Sequence, residues 1–188
     1  SSDLKYRWGN PMAYGRGTEE NQTLFQQHNC HWIEPGLPGE GNVLIYNNGN
    51  NRPEGNYSSV EQVKIPHVVD GEYPISADTP YGPENTEWRY PEELYSEFFS
   101  QNVSGAQRLP NGNTLICEGA SGYLFEVNEM GELVWDYINP VSIWGALEQT
   151  TSAFGNSVFQ AQRYAPNYAA FTGRNLTPLG EIEINPLP

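Results

Sequence analysis

Two of the chain's three histidines lie close together in the segment "QQHNCHW", at His28 and His31. A neutral imidazole is a nucleophile, a proton acceptor and a metal ligand near neutral pH. Because side chains alternate between the two faces of a strand, we expect His28 and His31 to point to opposite faces. Two side chains on opposite faces are poorly placed to bind the same metal ion, so no metal site is predicted. We expect His31 to be structural and His67, after "KIP", to lie at the surface.

The other residues that could take part in chemistry are scattered along the chain. Cys30 and Cys117 are the only cysteines, and their spacing fits no zinc pattern. They permit one disulfide, and their pairing stays open at this point. Arg163 stands in "QAQRYAP", where its guanidinium either faces an anionic substrate or forms a structural ion pair.

A repeat predicts the elements that position these residues. Two segments, 28–49 and 104–122, each contain a Leu-Pro and a Gly-Asn turn between β-rich runs and read as hairpins. Each hairpin is followed by a run of alternating polarity, at 58–65 in the first copy and at 122–129 in the second. A run that contains a tryptophan comes next, at 86–91 in the first copy and at 132–140 in the second. The order indicates two sheets of four antiparallel strands.

Tandem four-stranded sheets are typical of β-propeller blades, although a β-sandwich of similar hairpins is the alternative. We predict one domain over residues 1–188, with two full blades ending near 88 and 135. Leu4–Pro11 is predicted to be the outer strand of a preceding blade. Residues 150–188 are predicted to form a partial last blade whose inner strand is Asn156–Pro166. Because a propeller has about four to eight blades, the missing ones are expected from a longer chain or another chain.

Composition narrows the classes of partner. The formal net charge is −14, with 9 basic and 23 acidic residues, which argues against nucleic acid and against anionic membrane surfaces. No apolar run reaches about 18 residues, so no membrane span is expected. Four Asn-X-Ser/Thr sequons weakly favour a secreted glycoprotein in an extracellular or periplasmic setting, at Asn21, Asn56, Asn102 and Asn175.

The ordered set "QQH", "YNNGNNRPEGNYSSVEQV", "SGAQRLPNGNTLICEGASGYLFEVNEMGELVWDY" and "VFQAQRYAPNY" resembles the arylsulfotransferase-like β-propellers. The resemblance covers roughly residues 5–178. It implies a six-bladed propeller of which this chain holds about half. It also implies transfer of a sulfuryl group from an aryl sulfate to a phenolic acceptor, without a nucleotide donor or any other cofactor.

The resemblance also implies roles for particular residues. His28, in the Gln-His motif, corresponds to the histidine that is sulfated transiently. In the family, the turn that corresponds to Asn48 stands beside the central funnel of the propeller. Asn48 is therefore a candidate substrate-binding residue, although a purely conformational role in the turn is the simpler interpretation. Arg163 is a second candidate contact for the sulfuryl oxygens. The alternative function is a non-catalytic extracellular propeller that binds a glycan or protein or serves a structural assembly.

Overall fold

A computed structural model describes residues 4–93, 97–149 and 154–186, and in these ranges the chain is all-β. Its sheets are antiparallel: two have four strands each and one has two. The strands of the first sheet are β1 Gln27–Trp32, β2 Val43–Asn47, β3 Ser59–Val63 and β4 Trp88–Tyr90. Those of the second are β5 Gly105–Arg108, β6 Thr114–Glu118, β7 Tyr123–Val127 and β8 Leu133–Ile138. A small hairpin pairs β9 Val141–Ser142 with β10 Gly145–Ala146.

Both large sheets follow sequence order, β1-β2-β3-β4 and β5-β6-β7-β8. In each, every strand pairs antiparallel with the next one along the chain, so the prediction of two four-stranded repeats is confirmed. In the first sheet the long connection between β3 and β4 is largely irregular and exposed, as its proline-rich, acidic sequence predicts. Within the described residues no helix is long and apolar enough to cross a membrane.

The main apolar core lies between the two large sheets. Its buried residues come from both of them and from two flanking segments: Ile33, Leu44, Tyr46, Val60, Phe98, Ala106, Ile116, Phe125 and Val127. A smaller cluster covers the other face of the first sheet and consists of Leu24, Val43, Ile45 and Val63. Strand β2 is therefore covered on both faces, which explains why its sequence, "VLIYN", is almost continuously apolar.

Strand β1 contains a β-bulge. His28 pairs with Tyr46 and His31 with Leu44, so Asn29 and Cys30 together oppose one residue of β2. Asn29 adopts a positive φ of 50°, a conformation that asparagine tolerates better than most residues. The extra residue shifts the alternation of side chains between the two faces of β1. The two histidines consequently pair with Tyr46 and Leu44, whose side chains lie on one face of β2. The prediction that they point to opposite faces was therefore wrong.

Two predicted strands are not strands. Residues 4–9 are irregular, and the indole N–H of Trp8 donates to the carbonyl of Pro83 at 2.8 Å. Gly9, at φ +93°, turns the chain out of the extended conformation and so prevents a continuous outer strand from Leu4 to Pro11.

Residues 156–166 are also irregular, although they run beside β5. The amide of Ser104 donates to the carbonyl of Phe159 at 3.0 Å, and the side chain of Gln107 bonds the backbone of Arg163. Contacts this widely spaced form no continuous ladder.

The segment Pro91–Ser100 begins with a proline followed by two glutamates, a pattern that predicts a short helix. The described parts of that segment, 91–93 and 97–100, contain bends and a turn instead, and residues 94–96 lie outside the description. Phe98 enters the main core, where its ring meets those of Tyr46 and Tyr90 edge-on. The segment joins the two sheets by burying an aromatic side chain between them.

Candidate functional site

The turn after β2 positions the candidate site. Asn47 is buried and ties the segment before β1 in place, since its Nδ2 donates to the carbonyl of Thr23 at 2.8 Å. Gly49 adopts φ +75°, and a Cβ there would lie 1.6 Å from the carbonyl oxygen of Tyr57. Only glycine fits this close approach. The turn that the Asn-Asn-Gly sequence predicts is therefore present, and its geometry fixes Asn48.

His28 and Asn48, two residues singled out from the sequence, are in contact. Nδ1 of His28 lies 2.6 Å from Oδ1 of Asn48. The imidazole is half-buried on the edge strand β1, whereas Asn48 is fully buried. A half-buried ring with one nitrogen held keeps a defined orientation while it can still meet another molecule.

Asn48 is held by the segment that precedes β5. Its Nδ2 donates to the carbonyl of Ser100 at 2.7 Å and to that of Val103 at 3.2 Å. Its own carbonyl accepts a bond from the Ser58 hydroxyl at 2.9 Å. Both polar atoms of the side chain therefore have protein partners, and the side chain is buried. A role of Asn48 in binding substrate stays a prediction.

Buried hydroxyl groups extend this network towards the second sheet. Ser104 donates to the hydroxyl of Ser100 at 2.8 Å, and the amides of Gly119 and Ala120 donate to these two hydroxyls. Buried polar groups are costly unless paired, so the network fixes the junction of the sheets. Sequence reasoning missed Ser58 and Ser100 because neither lies near His28 in the chain and serine is common in turns.

The other candidate residues on strand β1, His31 and Cys30, differ in their contacts. Nδ1 of His31 lies 3.0 Å from the carbonyl of Asn29, within the bulge, as expected for a structural histidine. Cys30 and Cys117 are both free, one exposed and one buried, so they form no disulfide in this structure. Burial raises the pKa of the Cys117 thiol to about 11.

Arg163 forms the ion pair that was the alternative to anion binding. Its guanidinium contacts the carboxylate of Glu126 and lies over the ring of Trp135, 4.9 Å from the centroid. Burial alone would raise the pKa of Glu126, but hydrogen bonds from Asn113 and Arg163 outweigh it and lower that pKa below its usual value. The positive charge of Arg163 is thus already matched by a carboxylate.

A groove of about 700 Å³ lies between the turns of the two sheets and the C-terminal segment. Three partly exposed aromatic rings line it: Trp32, Tyr164 and Tyr168 are 57%, 48% and 46% exposed. His31 also lines the groove, whereas His67 is exposed elsewhere, in the connection after β3. The sequon asparagines are all exposed, namely Asn21, Asn56, Asn102 and Asn175.

Within residues 4–93, 97–149 and 154–186, no three His, Cys, Asp or Glu side chains are grouped so that they would hold a metal ion. The arrangement at His28 suits nucleophilic or acid–base chemistry by an oriented imidazole. Comparison of the chain with protein-family models, with curated proteins and with solved structures found no match.

Proposed function

We propose that this chain contributes two blades of a six-bladed β-propeller that transfers a sulfuryl group from an aryl sulfate to a phenolic acceptor through His28. The observation that carries the proposal is the 2.6 Å contact between His28 Nδ1 and Asn48 Oδ1. A nucleophilic side chain needs a neighbour that orients it, and this contact supplies one. It also joins two residues to which the family resemblance assigns the site.

Repetition of the two sheets supports the propeller part of the proposal. Strands β1 and β5 begin their sheets and contact each other. Residues 158–163 run beside β5 in the same direction, although they form no ladder. Inner strands arranged around a common axis account for this succession. The remaining blades come from further parts of a longer chain or from another chain.

The reaction has two balanced halves. In the first, an imidazole nitrogen of His28 attacks the sulfur, an N–S bond forms, the aryl O–S bond breaks and the phenolate leaves. In the second, the acceptor's phenolic oxygen attacks the same sulfur while the N–S bond breaks, and the acceptor's proton passes through solvent to the phenolate released in the first half. Neither half requires an oxidant or a nucleotide, and the covalent intermediate divides one difficult step into two.

The transition state places negative charge on the sulfuryl oxygens, which N–H donors or cations must face. Arg163 is paired with Glu126, so other residues supply this stabilisation, and the proposal assigns them to the remaining blades. An extracellular or periplasmic location also belongs to the proposal. Exposure of the four sequon asparagines supports it, since glycosylation requires accessible side chains.

The test compares turnover by the protein complete with its remaining blades and by two matched variants of it, with an aryl sulfate as donor and a phenol as acceptor. His28→Asn retains an N–H donor for Asn48 but removes the second ring nitrogen. We expect turnover to fall by about 10³-fold or more, with melting unchanged. His31→Asn, on the same strand, is expected to retain activity. Full activity of His28→Asn, with the wild type active, would exclude His28 as the nucleophile.

The aromatic groove favours the second candidate function, a non-catalytic binding module. Exposed rings such as Trp32 and Tyr168 offer flat apolar faces, and the pairing of Arg163 with Glu126 leaves that part of the groove suited to a neutral ligand. A neutral oligosaccharide, with polar edges and apolar ring faces, has this chemistry. Absence of turnover by the wild type, together with oligosaccharide binding that Trp32→Ala abolishes in calorimetry, would favour this function.

A further inference from the structure

We infer that Asn48 fixes neutral His28 in the tautomer that carries its proton on Nδ1, so that Nε2 holds the reactive lone pair. Asn48 is thereby a positioning residue, which acts through His28. The importance of this tautomer for catalysis rests on the proposed function. The position of the proton itself does not, because it follows from hydrogen bonding within the chain.

The first step of the argument is the orientation of the Asn48 amide. Its Nδ2 lies 2.7 Å from the carbonyl oxygen of Ser100 and 3.2 Å from that of Val103. Carbonyl oxygens only accept hydrogen bonds, so the group facing them must be the NH₂. A flipped amide would place its oxygen against two other oxygens. The network therefore assigns the amide, and its oxygen faces His28.

The second step places the imidazole proton. Oδ1 of Asn48 is an acceptor only, and it lies 2.6 Å from Nδ1 of His28. Nδ1 must therefore donate, and a neutral imidazole has a single N–H. The lone pair is left on Nε2. Histidine free in water prefers the opposite tautomer, so here the protein environment reverses the preference. Because Asn48 is fully buried and anchored by Ser100 and Val103, the assignment cannot relax by a simple rotation.

The third step concerns the chemistry that this tautomer favours. When Nε2 of His28 attacks sulfur, Nδ1 keeps its proton and the intermediate is a sulfated imidazolium. In the second half-reaction the N–S bond breaks and His28 leaves the sulfur as a neutral imidazole, which is a good leaving group. Asn48 accepts the Nδ1 hydrogen bond but is not itself a base, so it does not remove that proton. An amide at this position therefore suits repeated transfer, whereas a carboxylate would stabilise the cationic intermediate against departure.

The experiment measures the tautomer directly by ¹⁵N NMR of the full chain at about pH 8.5, where an ordinary imidazole is neutral. Protonated and lone-pair ring nitrogens have widely separated shifts, and His28→Asn identifies the signals of His28. We expect His28 to be almost entirely the Nδ1–H tautomer. His31, whose Nδ1 faces a carbonyl, serves as an internal reference for that form, and exposed His67 serves as the reference for a solvated ring.

Asn48→Ala tests whether Asn48 sets the tautomer. We expect the Nε2–H form of His28 to appear in this variant while the signals of His31 stay unchanged. If the chain transfers sulfuryl groups, turnover is expected to fall by about 10²- to 10⁴-fold. An Nε2–H signal from His28 in the wild type would overturn the inference, even if Asn48→Ala fails to fold. An unaltered tautomer in folded Asn48→Ala would overturn it too. Absence of turnover with the expected tautomer would defeat the proposed function alone.

Discussion

Corresponding positions of the two repeated sheets carry different residues. In the first sheet His28 pairs with Tyr46, and in the second Gly105 pairs with Cys117. When "GNVLIYNN" is aligned with "GNTLICEG", Asn48 corresponds to Gly119. The histidine–asparagine pair of the first sheet is thus replaced by two glycines in the second, although strand order and pairing are the same.

Close backbone approach explains the glycines. A Cβ at Gly119 would lie 2.3 Å from the carbonyl oxygen of Val158, and one at Gly105 would lie 2.8 Å from the side-chain oxygen of Asn29. In the second sheet neighbouring chain segments fill the space that the side chains of His28 and Asn48 take in the first. One backbone arrangement therefore supports either a polar site or tight packing, and the side chains decide which.

The largest expected difference between the two regions is in thiol reactivity. Cys30 lies in the exposed bulge beside His28, whereas Cys117 is buried opposite Gly105. Burial raises the pKa of Cys30 above its usual value and that of Cys117 to about 11. Because the thiolate is the reactive form, we expect iodoacetamide at about pH 8 to modify Cys117 at least about 100-fold more slowly than Cys30.

Peptide mass spectrometry over a time course measures both rates. Cys30→Ser isolates Cys117, whose rate is expected to keep rising with pH up to about 11 because its raised pKa delays thiolate formation. Equal rates at the two cysteines would contradict the difference in accessibility. If neither cysteine reacts until a reductant is added, the two are bonded in solution, contrary to the structure.

A large effect on stability is expected from Gly49→Ala in the turn that holds Asn48. The new methyl group would lie 1.6 Å from the carbonyl oxygen of Tyr57, at a backbone φ of +75°. Strain and steric overlap together are expected to cost about 3 kcal/mol or more of unfolding free energy. Gly41→Ala is the matched control, since φ there is +78° and no atom lies within 4 Å. It is expected to cost about 1 kcal/mol, and equal losses in urea unfolding would show that Gly49 is not specifically required.

The repeated fold was largely predictable from the sequence because its signals are local. Gly-Asn turns mark the hairpins, alternation marks β3 and β7, and tryptophans mark the outer strands β4 and β8. The prediction of His28 and Asn48 as members of one site came from the family resemblance, and the structure brings the two residues into contact. Sulfuryl transfer itself stays a prediction.

Other features were not predictable because they depend on contacts between distant residues. The bulge at Asn29 changes the face of the strand on which His31 lies. The side-chain oxygen of Asn29 accepts a hydrogen bond from the amide of Ala106, 77 residues away. Asn48 is held by the carbonyls of Ser100 and Val103, which leave no mark in the local pattern. The segments 4–11 and 156–166 have strand-like composition, but hydrogen bonds to loops and side chains replace the ladder.

The smallest expected effect tests the second sheet directly, through Gly119→Ala. Its φ is not in the left-handed region, so an alanine would not strain the backbone by itself. The added methyl group would meet the carbonyl oxygen of Val158 at 2.3 Å and the amide nitrogen of Ser104 at 2.9 Å. Displacement of these segments is expected to cost about 2 kcal/mol, measured by urea unfolding. Gly41→Ala again provides the control, because it adds the same group to open space. A loss below that of the control would mean that the second sheet has room for a side chain, and that close packing does not explain why it lacks the histidine–asparagine pair.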